Sequence, residues 1–182
     1  MKKVMSFILV GLLWLVMGPL AASSGEYQMG AVTHSKDFEK MKELVGVWEG
    51  TTDMGKGIVA IKATYELTSA GNAILERLFV GLPHEMVTVY YDYNGKITMT
   101  HYCSLGNQPH MELMNPGENN MLFVLSEKNP NLSSVKETHM HSLNISFDNK
   151  DNITHTWSLY EKGEKKLDSV IKLTRGLLRV TH

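Results

Sequence analysis

From Gly46 onward, apolar and polar residues alternate with period two, and turn-forming clusters recur at intervals too short to hold a helix between them. These clusters are Asp53-Met54-Gly55-Lys56-Gly57, Ser69-Ala70-Gly71-Asn72, Gly81-Leu82-Pro83, Tyr93-Asn94-Gly95, Asn115-Pro116-Gly117, Asp148-Asn149-Lys150-Asp151 and Lys162-Gly163. The spacing dictates a meander of short strands. Within Ile58 to Leu67, for example, Val59, Ile61, Ala63, Tyr65 and Leu67 share one face, while Lys62, Thr64 and Glu66 share the other. About nine or ten such strands would leave long unpaired edges if the sheet stayed open, and closure removes them. The expected fold is therefore all-β, a single antiparallel up-and-down barrel. A two-sheet sandwich is the competing architecture.

One segment breaks the pattern. Ser35 is an N-cap candidate, and Phe38, Met41, Leu44 and Val45 follow at three- and four-residue spacing, which predicts one short amphipathic helix covering an end of the barrel. Upstream, Met1-Lys2-Lys3 precedes an apolar run from Val4 to Leu20 and the small residues Ala21-Ala22-Ser23-Ser24. This is the pattern of an export signal, with cleavage expected near Ala22 to Ser24; an uncleaved anchor is the alternative. The expected organisation is a signal peptide over 1–23, a flexible N-terminal segment over 24–34 and the barrel domain over 35–182. Localisation is then periplasmic or secreted, without stable membrane insertion after cleavage.

Composition narrows the partners. A formal net charge of −1 over 182 residues provides no excess of cations to hold a phosphate backbone, so nucleic acid is not an expected partner. Cys103 is the sole cysteine and cannot form an internal disulfide, so the fold must rest on its core.

Pleating then selects a candidate site. A three-residue loop at Tyr93-Asn94-Gly95 pairs Tyr91 with Ile97, Val89 with Met99, Val87 with His101 and Glu85 with Cys103, whereas a two-residue Asn-Gly loop sets apolar residues opposite threonines. The first register points Glu85, His101 and Cys103 inward. In Glu137 to Phe147, His139 and His141 fall on the apolar face with Leu143, Ile145 and Phe147. If strands run up and down in turn, Glu85, His101, Cys103, His139 and His141 gather at one mouth. His155, in register with Ile153, Trp157 and Leu159, belongs towards the other. Trp48 and Trp157 read as core rings.

Several blocks carry a family resemblance: Val45-Gly46-Val47-Trp48-Glu49-Gly50, Leu67-Thr68-Ser69-Ala70-Gly71, Glu76-Arg77-Leu78-Phe79, His84-Glu85-Met86-Val87-Thr88, Thr100-His101-Tyr102-Cys103 and Gly106-Asn107-Gln108-Pro109. They resemble an uncharacterised, usually exported, bacterial lipocalin-like family. The resemblance runs from about Leu44 to Thr174 and implies a calycin-type barrel, with Asn107 added to the site by its Asn-Gln-Pro block. More distantly, Gly46-x-Trp48-x-Gly50 is similar to the opening of nitrobindins, haem barrels with a late histidine on the iron. That likeness implies His155 or His141 in the same role, although Thr51-Thr52-Asp53 stands where nitrobindins carry a glycine-rich turn.

Three functions compete. The first is binding of a small apolar or amphipathic molecule, oriented by Glu85, His101, Cys103, Asn107, His139 and His141. The second is a zinc or copper site built from His101, Cys103, His139 and His141, or its haem variant. The third is an enzyme with Glu85 or a histidine as general base and Cys103 as nucleophile. The chain holds no Gly-x-Ser-x-Gly elbow, phosphate loop or His-Glu-x-x-His motif to support the third. Neither ligand identity, cofactor nor oligomeric state is encoded legibly.

Overall fold

The computed structural model describes residues 32–176, apart from positions 54 and 56. The expected signal over 1–23 and most of the 24–34 segment lie outside the described residues. Among the described residues one α-helix, α1 (Lys36–Lys42), precedes ten strands. These are β1 (Gly46–Asp53), β2 (Ile58–Thr68), β3 (Ala73–Leu78), β4 (Met86–Tyr93), β5 (Lys96–Tyr102), β6 (His110–Pro116), β7 (Asn120–Leu125), β8 (His139–Asn149), β9 (Asn152–Glu161) and β10 (Glu164–Arg175). Each strand pairs antiparallel with its chain neighbours, and β1 pairs with both β2 and β10. The sheet is closed, so no sandwich forms and no strand edge is left over.

The two ends of the barrel differ. One end carries tight connections, including the Asn94-Gly95 turn with φ of 51° and 75°. Helix α1 closes it. The Ser35 hydroxyl accepts from the Phe38 N–H at 3.1 Å and donates to Asp92 Oδ1 at 2.6 Å, so a single side chain caps the helix and ties it to the end of β4. Phe38 and Met41 are buried against the barrel, each stabilising by roughly 1.5–3 kcal/mol, and the Trp48 indole donates to the Leu44 carbonyl oxygen at 2.7 Å. His34 also stacks on Phe38, so the last residues of the expected flexible segment belong to this plug. The longer connections, 79–85, 103–109 and 126–138, lie at the open end.

Most of the lumen is filled. Trp48, Tyr65, Tyr90, Ile97, Met99, Phe123, Ile145 and Leu173 belong to one continuous buried cluster. The seam that closes the barrel is tight at Gly50, which pairs with Ile61 on β2 and Leu173 on β10. A Cβ there would overlap the Lys172 carbonyl oxygen, a backbone atom that cannot swing aside. Gly50→Ala is therefore expected to lower the unfolding free energy by about 2–3 kcal/mol, read from the urea midpoint. An unchanged midpoint would mean that the seam has slack for a methyl group.

Candidate functional site

A cavity of about 210 Å³ opens at the mouth away from α1. Its walls come from seven strands and the connections beside them. Leu78 and Phe79 stand at the end of β3, His84 and Met86 at the start of β4, and His101, Cys103 and Leu105 at the end of β5. Met140 on β8, Trp157 and Leu159 on β9, and Ser169 and Ile171 on β10 complete the ring with Thr52 of β1 and Ser104. Among the described residues no Asp, Glu, Lys or Arg borders it.

Three buried nitrogen atoms on this wall lack hydrogen-bond partners among the described residues: His84 Nε2, His101 Nε2 and Trp157 Nε1. Buried polar atoms are paired in most folded proteins, and each orphan costs roughly 1–3 kcal/mol. Three on one cavity wall therefore mark a surface that can take a polar guest. The His101 ring is 1 % exposed, leans on Trp157 at 4.5 Å between centroids, and meets the Thr88 hydroxyl through Nδ1 at 2.9 Å. Burial holds its pKa down at about 4, so the imidazole is neutral at pH 7. Phe79 closes one side with φ of 62°, a left-handed conformation that is costly for a bulky residue, and its ring packs on His84 at 4.7 Å.

Deeper in the lumen lies a second polar group. Glu76 is fully buried and accepts from the Tyr65 hydroxyl at 3.0 Å and the Tyr90 hydroxyl at 2.7 Å. His155 Nε2 meets the Tyr65 oxygen at 2.9 Å, and its Nδ1 lies 3.7 Å from Glu76. Burial and the Glu76 charge push both phenols well above their ordinary pKa, which keeps them protonated donors. Burial lowers the His155 pKa, and Glu76 works against that shift.

The sequence-expected residues separate into two groups. His101 and Cys103 line the cavity, and Ile97 and Met99 share their inward face, but the hairpin before them has the other register. β4 and β5 are joined by a two-residue Asn94-Gly95 turn, pairing Tyr90 with Met99 and Thr88 with His101. Met86, Thr88 and Tyr90 therefore point inward in place of Val87, Val89 and Tyr91. Glu85 sits outside, accepting from the Gly81 N–H at 2.9 Å and from Arg77 at 3.2 Å; these contacts hold its carboxyl below the usual range.

His139 and His141 are likewise displaced. A bulge falls between Met140 and Ser142, where β8 loses register with β9. Met140 pairs with Leu159 and enters the cavity, whereas His139 pairs with Tyr160 and is buried outside the cavity wall. There His139 Nε2 meets His141 Nδ1 at 3.2 Å, and His141 stacks on Tyr160 at 3.9 Å. Burial and His139 lower the His141 pKa. The set His101, Cys103, His139 and His141 is thus split across the barrel wall. Among the described residues no group of three or more His, Cys, Asp or Glu is arranged to hold a metal ion.

Asn107 lies outside the cavity wall. Its amide donates to the Thr138 carbonyl at 2.9 Å and to Glu137 at 3.0 Å, fastening the β5–β6 connection to the segment before β8. His155 is neither at the far mouth nor beside open space; it occupies the mid-lumen cluster. The sequence reading missed His84, Met86, Met140 and the orphaned Trp157 indole as wall residues. Trp157 shares the period-two register of Ile153 and His155, so its inward direction was readable, but not the absence of a partner for its N–H.

No protein-family model matches the chain. No curated protein is similar to it either. Among solved structures, the chain is similar to a protein of unknown function from the DUF3598 family of Nostoc punctiforme, at 12% identity and TM-score 0.50 over 75% of this chain. It spans about half, 49%, of that protein's length. It is also similar to Rv2717c from M. tuberculosis, at 9% identity and TM-score 0.52, over 80% of this chain and 100% of that one. At such identities the likeness is one of fold.

The buried histidines make stability depend on pH. His101 has a folded pKa of about 4 against about 6.5 unfolded, so the unfolded chain binds the proton first and stability falls as pH drops from about 6.5 to about 4. The loss assignable to His101 is about 3 kcal/mol, and His155 adds to it in the same direction. Denaturant midpoints at pH 7 and pH 4.5 are expected to converge in His101→Gln relative to the parent. Equal slopes in the two proteins would place the His101 titration near its ordinary value.

Proposed function

We propose that this barrel binds a small, uncharged, largely apolar molecule in the cavity at its open mouth. One observation carries the reading: three partnerless buried nitrogens share a wall that is otherwise mostly apolar and free of charged side chains among the described residues. Apolar pockets with a few fixed polar groups are how proteins hold and orient small ligands. The volume sets the scale. A cavity near 150 Å³ admits benzene, so about 210 Å³ suits a molecule of roughly ten non-hydrogen atoms. The resemblance to an exported lipocalin-like family agrees with this reading.

Haem, the distant nitrobindin expectation, does not fit these residues. His155 has its Nε2 engaged with Tyr65 in a filled lumen, and His141 is on the outer face. Neither borders the cavity, which is itself below the roughly 300 Å³ at which ligand pockets usually begin. Of the enzyme set, Glu85 is outside the cavity, while His101 and Cys103 share its wall and burial pushes the Cys103 thiol up, away from the reactive thiolate.

The test fills the hole. Titrating p-xylene and indole into the protein is expected to shift the Trp157 indole N–H and the Met86 and Met140 methyl signals in NMR spectra, and Ser169→Phe is expected to abolish those shifts. Absence of any response, or a response that survives the filled mouth, overturns the reading. We further propose that residues 1–23 direct export, so the mature chain recovered from a bacterial periplasm is expected to begin near Ser23 to Gly25. An intact Met1 on the folded, exported protein would contradict this.

A further inference from the structure

We infer that Met86, His101 and Cys103 form a site on the cavity wall for one soft monovalent cation, copper(I) or silver(I). This goes beyond the reading of the cavity as a pocket for an uncharged molecule and does not depend on it.

The site begins with two sulfur atoms. Met86 opens β4 and Cys103 follows the end of β5, and the neighbouring pair of Val87 and Tyr102 sets the two opposite each other. Cys103 Sγ lies 4.0 Å from Met86 Sδ, and both residues are buried and line the cavity. A metal bonded to each sulfur at about 2.3 Å would bridge that 4.0 Å gap with an angle of about 120° between the two bonds. That angle belongs to a three-coordinate centre, so the sulfurs already stand where a soft ion needs them.

A contact between a thiol and a thioether is, on its own, ordinary core packing. His101 makes it a site. It lies two residues before Cys103 on the same inward face, and its Nε2 is buried, borders the cavity and has no partner among the described residues. The tautomer of the metal-free ring is immaterial, because a cation at Nε2 selects the form with its proton on Nδ1. There the Thr88 oxygen, 2.9 Å away, can accept that proton. Thiolate, thioether and imidazole together are the donors that select copper(I). Only two of the three are His or Cys, so the site is a different one from the His101, Cys103, His139 and His141 set that the barrel wall divides.

Charge decides the valence. Uptake breaks the Cys103 S–H bond, forms a metal–sulfur bond and sends the proton to solvent, with no change of oxidation state. A monovalent ion on one thiolate is then neutral overall. Zinc(II) or copper(II) on the same donors would keep a net positive charge, and among the described residues no Asp or Glu borders the cavity to balance it.

The probe is silver(I), added as the nitrate to the reduced protein in chloride-free buffer at pH 7. One ion per chain is expected to bind with release of one proton, moving the Met86 methyl signal and giving His101 Nε2 the nitrogen-15 shift of a metal-bound imidazole. Met86→Leu, which conserves volume, and His101→Gln should each weaken binding about tenfold or more, and Cys103→Ser about a hundredfold or more, with thermal melts confirming that each variant is folded. Zinc(II) in excess should not displace silver(I). No binding, a parent spectrum without the His101 shift, or displacement by zinc(II) overturns the inference. So does binding that Cys103→Ser leaves intact, which puts the ion elsewhere, or that both Met86→Leu and His101→Gln leave intact, which reduces the site to a lone thiol. The response to p-xylene and indole is a separate measurement, so failure here leaves the pocket reading standing.

Discussion

In a closed barrel every strand has a neighbour on both sides, and each residue's face is fixed by its place in that ladder. A shift of one residue exchanges lumen for solvent along the whole strand until another irregularity resets it. The seam between β1 and β10 imposes this, because with the sheet closed no strand can relax its twist or slip at a free edge. The composition of the cavity wall is a consequence of that parity more than of local preference.

How far the sequence could be read follows from the same constraint. Alternation and turn spacing revealed the strands, and Ser35 with its apolar stripe revealed α1. Ile97, Met99, His101 and Cys103 could be placed inward together because the run between them is uninterrupted. Across the hairpin the count failed. Asn94 takes a left-handed φ of 51°, making a two-residue turn, and apolar Val87 and Val89 accept the outer face opposite threonine and tyrosine. The bulge at His141 is a harder case, since nothing in His139-Met140-His141-Ser142 advertises an extra residue. The turn and the bulge together move Glu85, His139 and His141 out of the lumen and put Met86 and Met140 on its wall.

The lumen is stratified by polarity. The helix end is apolar, with Phe38, Met41, Leu44 and Trp48. Glu76, Tyr65, Tyr90 and His155 form a polar layer above it, and the cavity lies beyond, roofed on one side by the strained Phe79. A buried carboxylate is tolerable only where donors surround it, and two phenols meet that need without adding a compensating cation. Their hydroxyls are thereby oriented towards Glu76. Glu76 was invisible as a lumen residue beforehand, because Arg77 beside it was an equal candidate until β3 acquired its register.

The chain enters and leaves the barrel at the same pole. Ser35 is tied to Asp92 beside the helical plug, and Gly176 donates to the Val47 carbonyl oxygen at 2.7 Å where β1 begins. Both Ser35 and Gly176 therefore stand at the pole opposite the ring of Phe79, Leu105 and Leu159. Protein cross-linked to a support through this pole would accordingly present its entrance to the surrounding fluid.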